Sequence, residues 1–538
     1  MESLSEVIND STRGGFYLAA ASVLAIVFST LSVLVIARIL GSELYGLYSL
    51  TMVPPALITL FTNLGINQGL MKFSASYLAK GEKNRLRKLL FQSFSLVTIL
   101  GVIGSLVCFV FSNQFASYIL HRPEISGFVQ LTSVLVILQV LFDVTTSTFV
   151  GVNKTEYTAV VTVVQSLVYL LLGPALVLSG LSVTGVLIGY VFSYVVASSL
   201  GLYLLMSKIY KPLKQSENES AVSHSDFNRS DFKMLIYFGL PLYFSVMITG
   251  FNGQFRTILL AMFTSNYELG NFQAAANFGV FIGALTGPIN TILLPAFAKL
   301  ENKKESVKEF FRISIKYTSL IMLPIIMFVM VYAKEIVNIL YGLGYDQAPE
   351  YLVLLFSTYF LMGLGLFILR SLFNGLGNTK ISLGMTLAST IVLIVLSPAL
   401  MAYIGVTGLL ITLILSAVVS TLFGLYIAKR KFAVNIGKAA VSRIYFVAFV
   451  SAIPAFLIKQ IPLYHNLINF AVGAALFLIT YLVILPNIEV ISLKELEEIK
   501  KVVKRIRLLK YIAIPIIIFE EKLWLYRRKI SPVKPDKI

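Results

Sequence analysis

Residues 149–203 read FVGVNKTEYTAVVTVVQSLVYLLLGPALVLSGLSVTGVLIGYVFSYVVASSLGLY, and the chain writes the same skeleton again at 373–426. Phe149, Gly151, Pro174-Ala175-Leu176, Val183-Thr184-Gly185 and Gly201-Leu202-Tyr203 recur as Phe373, Gly375, Pro398-Ala399-Leu400, Val406-Thr407-Gly408 and Gly424-Leu425-Tyr426. Shared apolar composition alone would not hold glycines and prolines in register across two helices. A period this long denotes a duplicated domain rather than a solenoid. In a membrane chain, two equivalent halves are the usual frame of a secondary transporter, with the substrate path between them.

Composition places the chain in lipid. Hydrophobic residues make up 57% and charged residues 13% of 538, where a soluble chain carries about a quarter charged residues. The 44 Lys and Arg exceed the 26 Asp and Glu, giving +18. These charges lie between apolar runs rather than on one soluble face, which excludes nucleic acid as a partner and reads as membrane topology. The single cysteine, Cys108, forms no intramolecular disulfide.

Windows of about 20 apolar residues number fourteen, arranged as six, six and two. The expected fold is an all-α polytopic membrane protein of two pseudo-symmetric six-helix bundles plus two carboxy-terminal transmembrane helices. Its divisions are a first bundle at 1–206, a linker at 207–233, a second bundle at 234–430, helices 13 and 14 at 431–486, and a basic tail at 487–538. The loop from Lys72 to Lys88 is strongly basic, and that from Lys429 to Arg443 holds five cations and no acid. Both follow even-numbered spans, so the positive-inside rule puts them and both termini in the cytosol of a multi-pass cell-membrane protein. The first apolar run is too long for a signal peptide and is expected to persist as a span.

Several spans carry polar stripes. Thr59, Asn63 and Asn67 stand at i, i+4 and i+8; Ser245, Thr249, Asn252 and Arg256 at i, i+4, i+7 and i+11. The fourth span offers Gln139, Asp143 and Thr146, the tenth Arg370 and Asn374. Polar groups facing lipid are costly and charges more so, so these faces are expected to line protein or water. Across the repeat Asp143 aligns with Phe367, Arg370 with Thr146 and Arg256 with Ser32. The duplicated scaffold therefore does not require these charges, and each half has its own.

The first span ends in Arg38-Ile39-Leu40-Gly41-Ser42-Glu43-Leu44-Tyr45-Gly46. This stretch resembles the Arg-X-Leu-Gly-(Pro/X)-Glu-X-(Phe/Tyr)-Gly signature of polysaccharide flippases in the MOP superfamily, the group that also holds the MATE exporters and lipid II flippases; Ser42 replaces the proline. The resemblance implies a MOP/MATE-like fold and movement of polyprenyl-linked sugars from the cytosolic to the outer leaflet by alternating access.

The intramembrane cations suit such cargo, because guanidinium groups match phosphate oxygens and a bare head group cannot cross hydrocarbon unaided. Substrate contacts are expected from Arg256, Arg370, Arg38, Asn252, Asn63, Asn67 and Asn374. Asp143 is expected either to couple transport to H+ or Na+ or to pair with an arginine. No catalytic residue, metal site or cofactor is expected. A MATE-like exporter of small organic molecules is the alternative, which an acidic, aromatic cavity would favour. The enzyme reading lacks any catalytic constellation on an outer loop.

In the tail, Leu493, Leu496, Ile499, Val502, Val503, Ile506 and Leu509 form an apolar stripe among lysines and arginines, the pattern of a helix lying on anionic lipid. A monomer is expected.

Overall fold

The computed structural model describes residues 4–215, 229–301, 303–461 and 466–488, together with 490–491, 495–497, 500–501, 514–515 and 517–522. Residues 216–228 of the linker and most of the tail stripe lie outside the described residues. The linker's first residues, 207–215, continue as helix.

Every regular element among the described residues is a helix. The solvent dictates this more than the sequence does. Ala159-Val160-Val161-Thr162-Val163-Val164 is β-branched and a poor helix former in water, yet it sits inside the helix Thr155–Leu176. In hydrocarbon an unbonded amide costs several kcal/mol, so a helix that satisfies its own backbone wins.

Nine helical stretches among the described residues are long and apolar enough to cross a membrane, ten if Ala348–Leu364 and Ile368–Gly375, bent by 47°, make one span. Fourteen apolar windows yield fewer stretches because the backbone runs through some boundaries. Ala21–Thr62, Thr155–Leu213 and Thr379–Phe432 extend for 42, 59 and 54 residues. They contain non-helical residues at Gly41, at Gly180 and at Ile404 and Gly405, respectively.

Contacts group the chain into two units, one of Met1–Asn277, Leu340–Ala348 and Leu393–Thr412, the other of Phe278–Ile339, Pro349–Val392 and Leu413–Ile538. The first contains α1 (Leu4–Thr51), α2 (Val53–Thr62), α3 (Ile66–Ala79), α4 (Lys83–Val110), α5 (Leu135–Gly151), α6 (Thr155–Leu176), α7 (Ser182–Leu205) and α8 (Arg229–Phe263). α9 (Asn266–Lys299) begins in the first unit and continues into the second. The second contains α10 (Lys304–Val331), α11 (Ile368–Gly375), most of α12 (Thr379–Phe432), α13 (Lys438–Lys459) and α14 (Asn466–Asn487).

The repeat is visible bond by bond. After α5, the amides of Val152, Asn153, Lys154 and Tyr157 donate to the carbonyls of Thr148, Val150, Phe149 and Lys154. After α11, those of Leu376, Gly377, Asn378 and Ile381 donate to Leu372, Asn374, Phe373 and Asn378. Each pair is 224 residues apart. The turn needs a left-handed residue, supplied by Asn153 (φ 57°) in one copy and Gly377 (φ 70°) in the other, the two residue types that tolerate it best.

The repeated side chains hold equivalent places as well. Phe149 and Phe373 are both fully buried, each within its unit's core cluster. A Cβ on Gly151 would stand 2.9 Å from the Leu70 carbonyl oxygen, and one on Gly375 2.6 Å from that of Leu294. Lipid supplies no hydrophobic drive between helices, so such close backbone approach is what gives them contact. Large side chains on the outside, such as Phe91, Leu171 and Phe449, face the solvent this chain has, which is acyl chain.

Candidate functional site

The second span does not cross as one helix. α2 ends at Thr62 and α3 begins at Ile66, with Leu64 and Gly65 at positive φ between them. Pro54 and Pro55 do not interrupt α2, because both occupy its first turn, where no intrahelical donor is needed. The break falls instead at Asn63, whose carbonyl accepts from Ile66 N (2.9 Å) and whose Oδ1 accepts from Asn67 N (3.2 Å). Irregular backbone at membrane depth is tolerated where it borders a cavity or is buried in protein.

A cavity of about 150 Å3 lies at this break, walled by Thr59, Thr62, Asn63 and Asn67, by Asp143 of α5 and by Tyr243 of α8. Three residues expected at a site, Asn63, Asn67 and Asp143, thus meet in one place despite the interrupted helix. Asn63 also has a structural task, since its amide oxygen starts α3. Asp143 is half-buried, and among the described residues no basic side chain stands within 4 Å of it.

The neighbours of Asp143 are aromatic hydroxyls. Tyr190 and Tyr194 share one face of α7, hydrogen-bond to each other and to Gln139, and interact electrostatically with Asp143; their rings are 5.2 Å apart. Tyr169 continues the series with its ring 4.9 Å from that of Tyr190 and its hydroxyl 3.0 Å from that of Tyr48. Tyr45, beside Tyr48, accepts from Asn277 Nδ2 at 2.8 Å. Sequence reasoning passed over these tyrosines. Their only local signals were the i, i+3 spacing of Tyr45 and Tyr48 and the i, i+4 spacing of Tyr190 and Tyr194 on apolar helices.

The remaining candidates lie elsewhere. Asn252 and Arg256 are half-buried on α8, and the Arg256 Nε donates to the Asn252 carbonyl at 3.2 Å. Arg256 stands ten residues, or about 15 Å of helix rise, beyond the cavity-lining Val246. Arg38 and Glu43 are both exposed on α1, and Gly46 packs its backbone against Asn266 and Gly270. Arg370 and Asn374 are exposed on α11 in the second unit. Arg370 has no carboxylate within 4 Å among the described residues. No set of three metal-ligating side chains gathers among the described residues.

Residues 264–484 match a family model described as lipid II flippase MurJ. The chain is 21% identical over 414 residues to the probable low-salt glycan biosynthesis flippase Agl15 of Haloferax volcanii, covering 77% of this chain and 82% of that one. Two solved structures share its fold. One is the lipid II flippase MurJ in an inward closed conformation, with TM-score 0.68, 14% identity, 87% of this chain and 99% of that one. The other is an inward-facing multidrug resistance MATE family transporter of the MOP superfamily, with TM-score 0.65, 17% identity, 76% of this chain and 94% of that one. Residues 35–350, more than half of the chain and inclusive of Arg38, the cavity and Arg256, match the family model described as polysaccharide biosynthesis protein, and the chain belongs to that family.

Proposed function

We propose that this protein moves a polyprenyl-(di)phosphate-linked oligosaccharide from the cytosolic to the outer leaflet by alternating access, without catalysis. One observation carries the reading: the helix break sets Thr59, Asn63, Asn67 and Asp143 on the wall of a cavity completed by Tyr243 and apolar side chains, in a chain of the polysaccharide biosynthesis family. Relatives named as glycan and lipid II flippases support it.

The division of labour follows from charge. A desolvated phosphate costs many kcal/mol, and fixed donors offset that cost. Arg256 and Arg370 supply permanent, planar donors, one in each unit, and Arg38, Asn252 and Asn374 add polar contacts beside them. A cavity of about 150 Å3 holds a few waters and no glycan, so the substrate passes only when a second conformation opens the path. Asp143, without a basic partner among the described residues and next to Gln139 and two phenols, takes up the coupling H+ or Na+. The protein works as a monomer in the cell membrane with both termini cytosolic, and the basic residues of its tail meet anionic lipid while Glu495 and Glu520 hold the tail to the second unit.

Proteoliposomes loaded with a fluorescent lipid-linked oligosaccharide test this. Wild type is expected to move the lipid between leaflets, with Arg256→Ala and Arg370→Ala each much slower. Normal rates in both variants would remove the two arginines as phosphate donors.

A second reading has its own observation. Asp143 with Tyr190 and Tyr194 is an acidic, aromatic cluster, the feature expected of a cation exporter, and the MATE structure shares the fold. Asp143-dependent efflux of an organic cation dye, without movement of lipid-linked sugar, would establish that reading instead.

A further inference from the structure

A second cavity, of about 450 Å3, lies wholly in the second unit. Its walls are Arg312 and Lys316 of α10, residues 435–440 where α13 begins, and Glu495 from the carboxy-terminal stretch. Lys316 Nζ donates to both carboxylate oxygens of Glu495 at 2.7 and 2.9 Å, and the Tyr317 hydroxyl adds a third bond at 3.2 Å. Both partners are mostly shielded, with side chains 16% and 27% exposed. Arg312 and Lys438 have no carboxylate within 4 Å among the described residues. Three cations therefore surround one anion.

The start of α13 sharpens the imbalance. Gly437 sits at φ 69° with the stem of Arg312 against it, where a Cβ would meet Arg312 Cγ at 2.9 Å. The first intrahelical bonds run from Ala440 N and Val441 N to the Gly437 carbonyl. The amides of Lys438 and Ala439 precede them, on residues that line the cavity. The first turn holds no acid, and its leading residue is a lysine, although a helix start favours negative charge. The exposed cations Arg312 and Lys438, a helix start lacking its acid and a carboxylate brought from a distant segment together make this cavity electropositive and suited to an anion.

We propose that this cavity binds a phosphate group, and that Glu495 is its internal stand-in. Phosphate presents tetrahedral oxygens to Lys316, Arg312, Lys438 and the two leading amides, where a carboxylate engages only the first. Phosphate binding and docking of the Glu495 segment are then mutually exclusive, so the site reports an anion by releasing the tail. This goes beyond the transport reading and stands or falls without it. The phosphate arrives on an anionic lipid head group or in free form, and the experiment separates the two.

Full-length protein is placed in nanodiscs of phosphatidylcholine, of phosphatidylcholine with phosphatidylglycerol, or of phosphatidylcholine with inorganic pyrophosphate, at constant ionic strength. Amide exchange at 495–497 is followed by mass spectrometry. Phosphatidylglycerol, pyrophosphate or both are expected to raise exchange about tenfold, the scale of one charge-assisted contact, and the responding arm identifies the source. Glu495→Gln should exchange fast without any anion, and Lys438→Gln should lose the response while keeping the wild-type rate in phosphatidylcholine. Exchange unmoved by either anion, or a Lys438→Gln response equal to wild type, would overturn the proposal.

Discussion

The two copies of the repeat, Phe149–Tyr203 and Phe373–Tyr426, agree in backbone, and the spans that lead into them disagree in charge. The turn after α5 and the turn after α11 share four hydrogen bonds at a constant offset, and both copies bury the same phenylalanine. Against that agreement, Asp143 of the first copy's span faces Phe367 in the alignment, and Arg370 of the second faces Thr146. Asp143 sits with Gln139 and two tyrosine hydroxyls, while Phe367 stacks on Tyr359 at 6.2 Å. Duplication preserved what packing demands and released what it does not. Charge is the part free to differ, so it is where function is written.

The largest test of this contrast is steric. Gly151→Val and Gly375→Val each drive a side chain into a neighbouring carbonyl and are expected to cost about 3 kcal/mol, read as loss of monodisperse protein on size-exclusion chromatography. If one copy accepted valine and the other did not, the structural equivalence of the halves would fail.

A smaller effect is expected where the copies' backbones part. The second copy's span narrows to a 3-10 helix over Thr358–Leu364 before Gly365 at φ 89°, and the Tyr445 hydroxyl donates to the Phe360 carbonyl within it. Tyr445→Phe removes that bond and should cost about 1 kcal/mol, seen as a lowered Tm.

Charge exchange between copies sharpens the comparison further. Asp143→Asn and Arg370→Thr are each expected to lower the flipping rate about tenfold, one charge-assisted interaction, while folded yield stays at wild type. Arg370→Lys should recover part of the rate, since lysine keeps charge but not the planar fork.

The smallest effect is local and depends on pH. The second unit's fully buried acid, Glu520, comes from the tail rather than from the repeat. Burial raises its carboxyl from 4.5 to about 8. The protonated form is the one the buried site accepts, so docking of 517–522 is fully stable below pH 4.5 and weakens as pH rises through about 8. Protease cleavage near this segment should increase from pH 6 to pH 9, and Glu520→Gln should flatten that dependence.

Much of this was legible in the chain itself. The paired glycines and prolines announced the duplication because close helix approach admits few residues, and the Thr59, Asn63 and Asn67 spacing announced a polar face. The break at Leu64-Gly65 was not legible, since no proline marks it and the bonds that stabilise it come from Asn63's own side chain. Nor were the tyrosines near Asp143, because Tyr190 lies 47 residues beyond it in sequence and only packing joins α5 to α7. The Lys316–Glu495 pair spans 179 residues and leaves no periodic trace.

In the proposed transport cycle the first unit's cavity serves the passage of a phosphate-bearing lipid head group. Its most direct test is to remove the gene and measure, by reagents that cannot cross the membrane, which leaflet holds the lipid-linked sugars. Accumulation on the cytosolic face, reversed by wild type and not by Asp143→Asn, is the predicted result. Sugars still reaching the outer leaflet at wild-type levels, or lipid-linked sugars absent altogether, would contradict it.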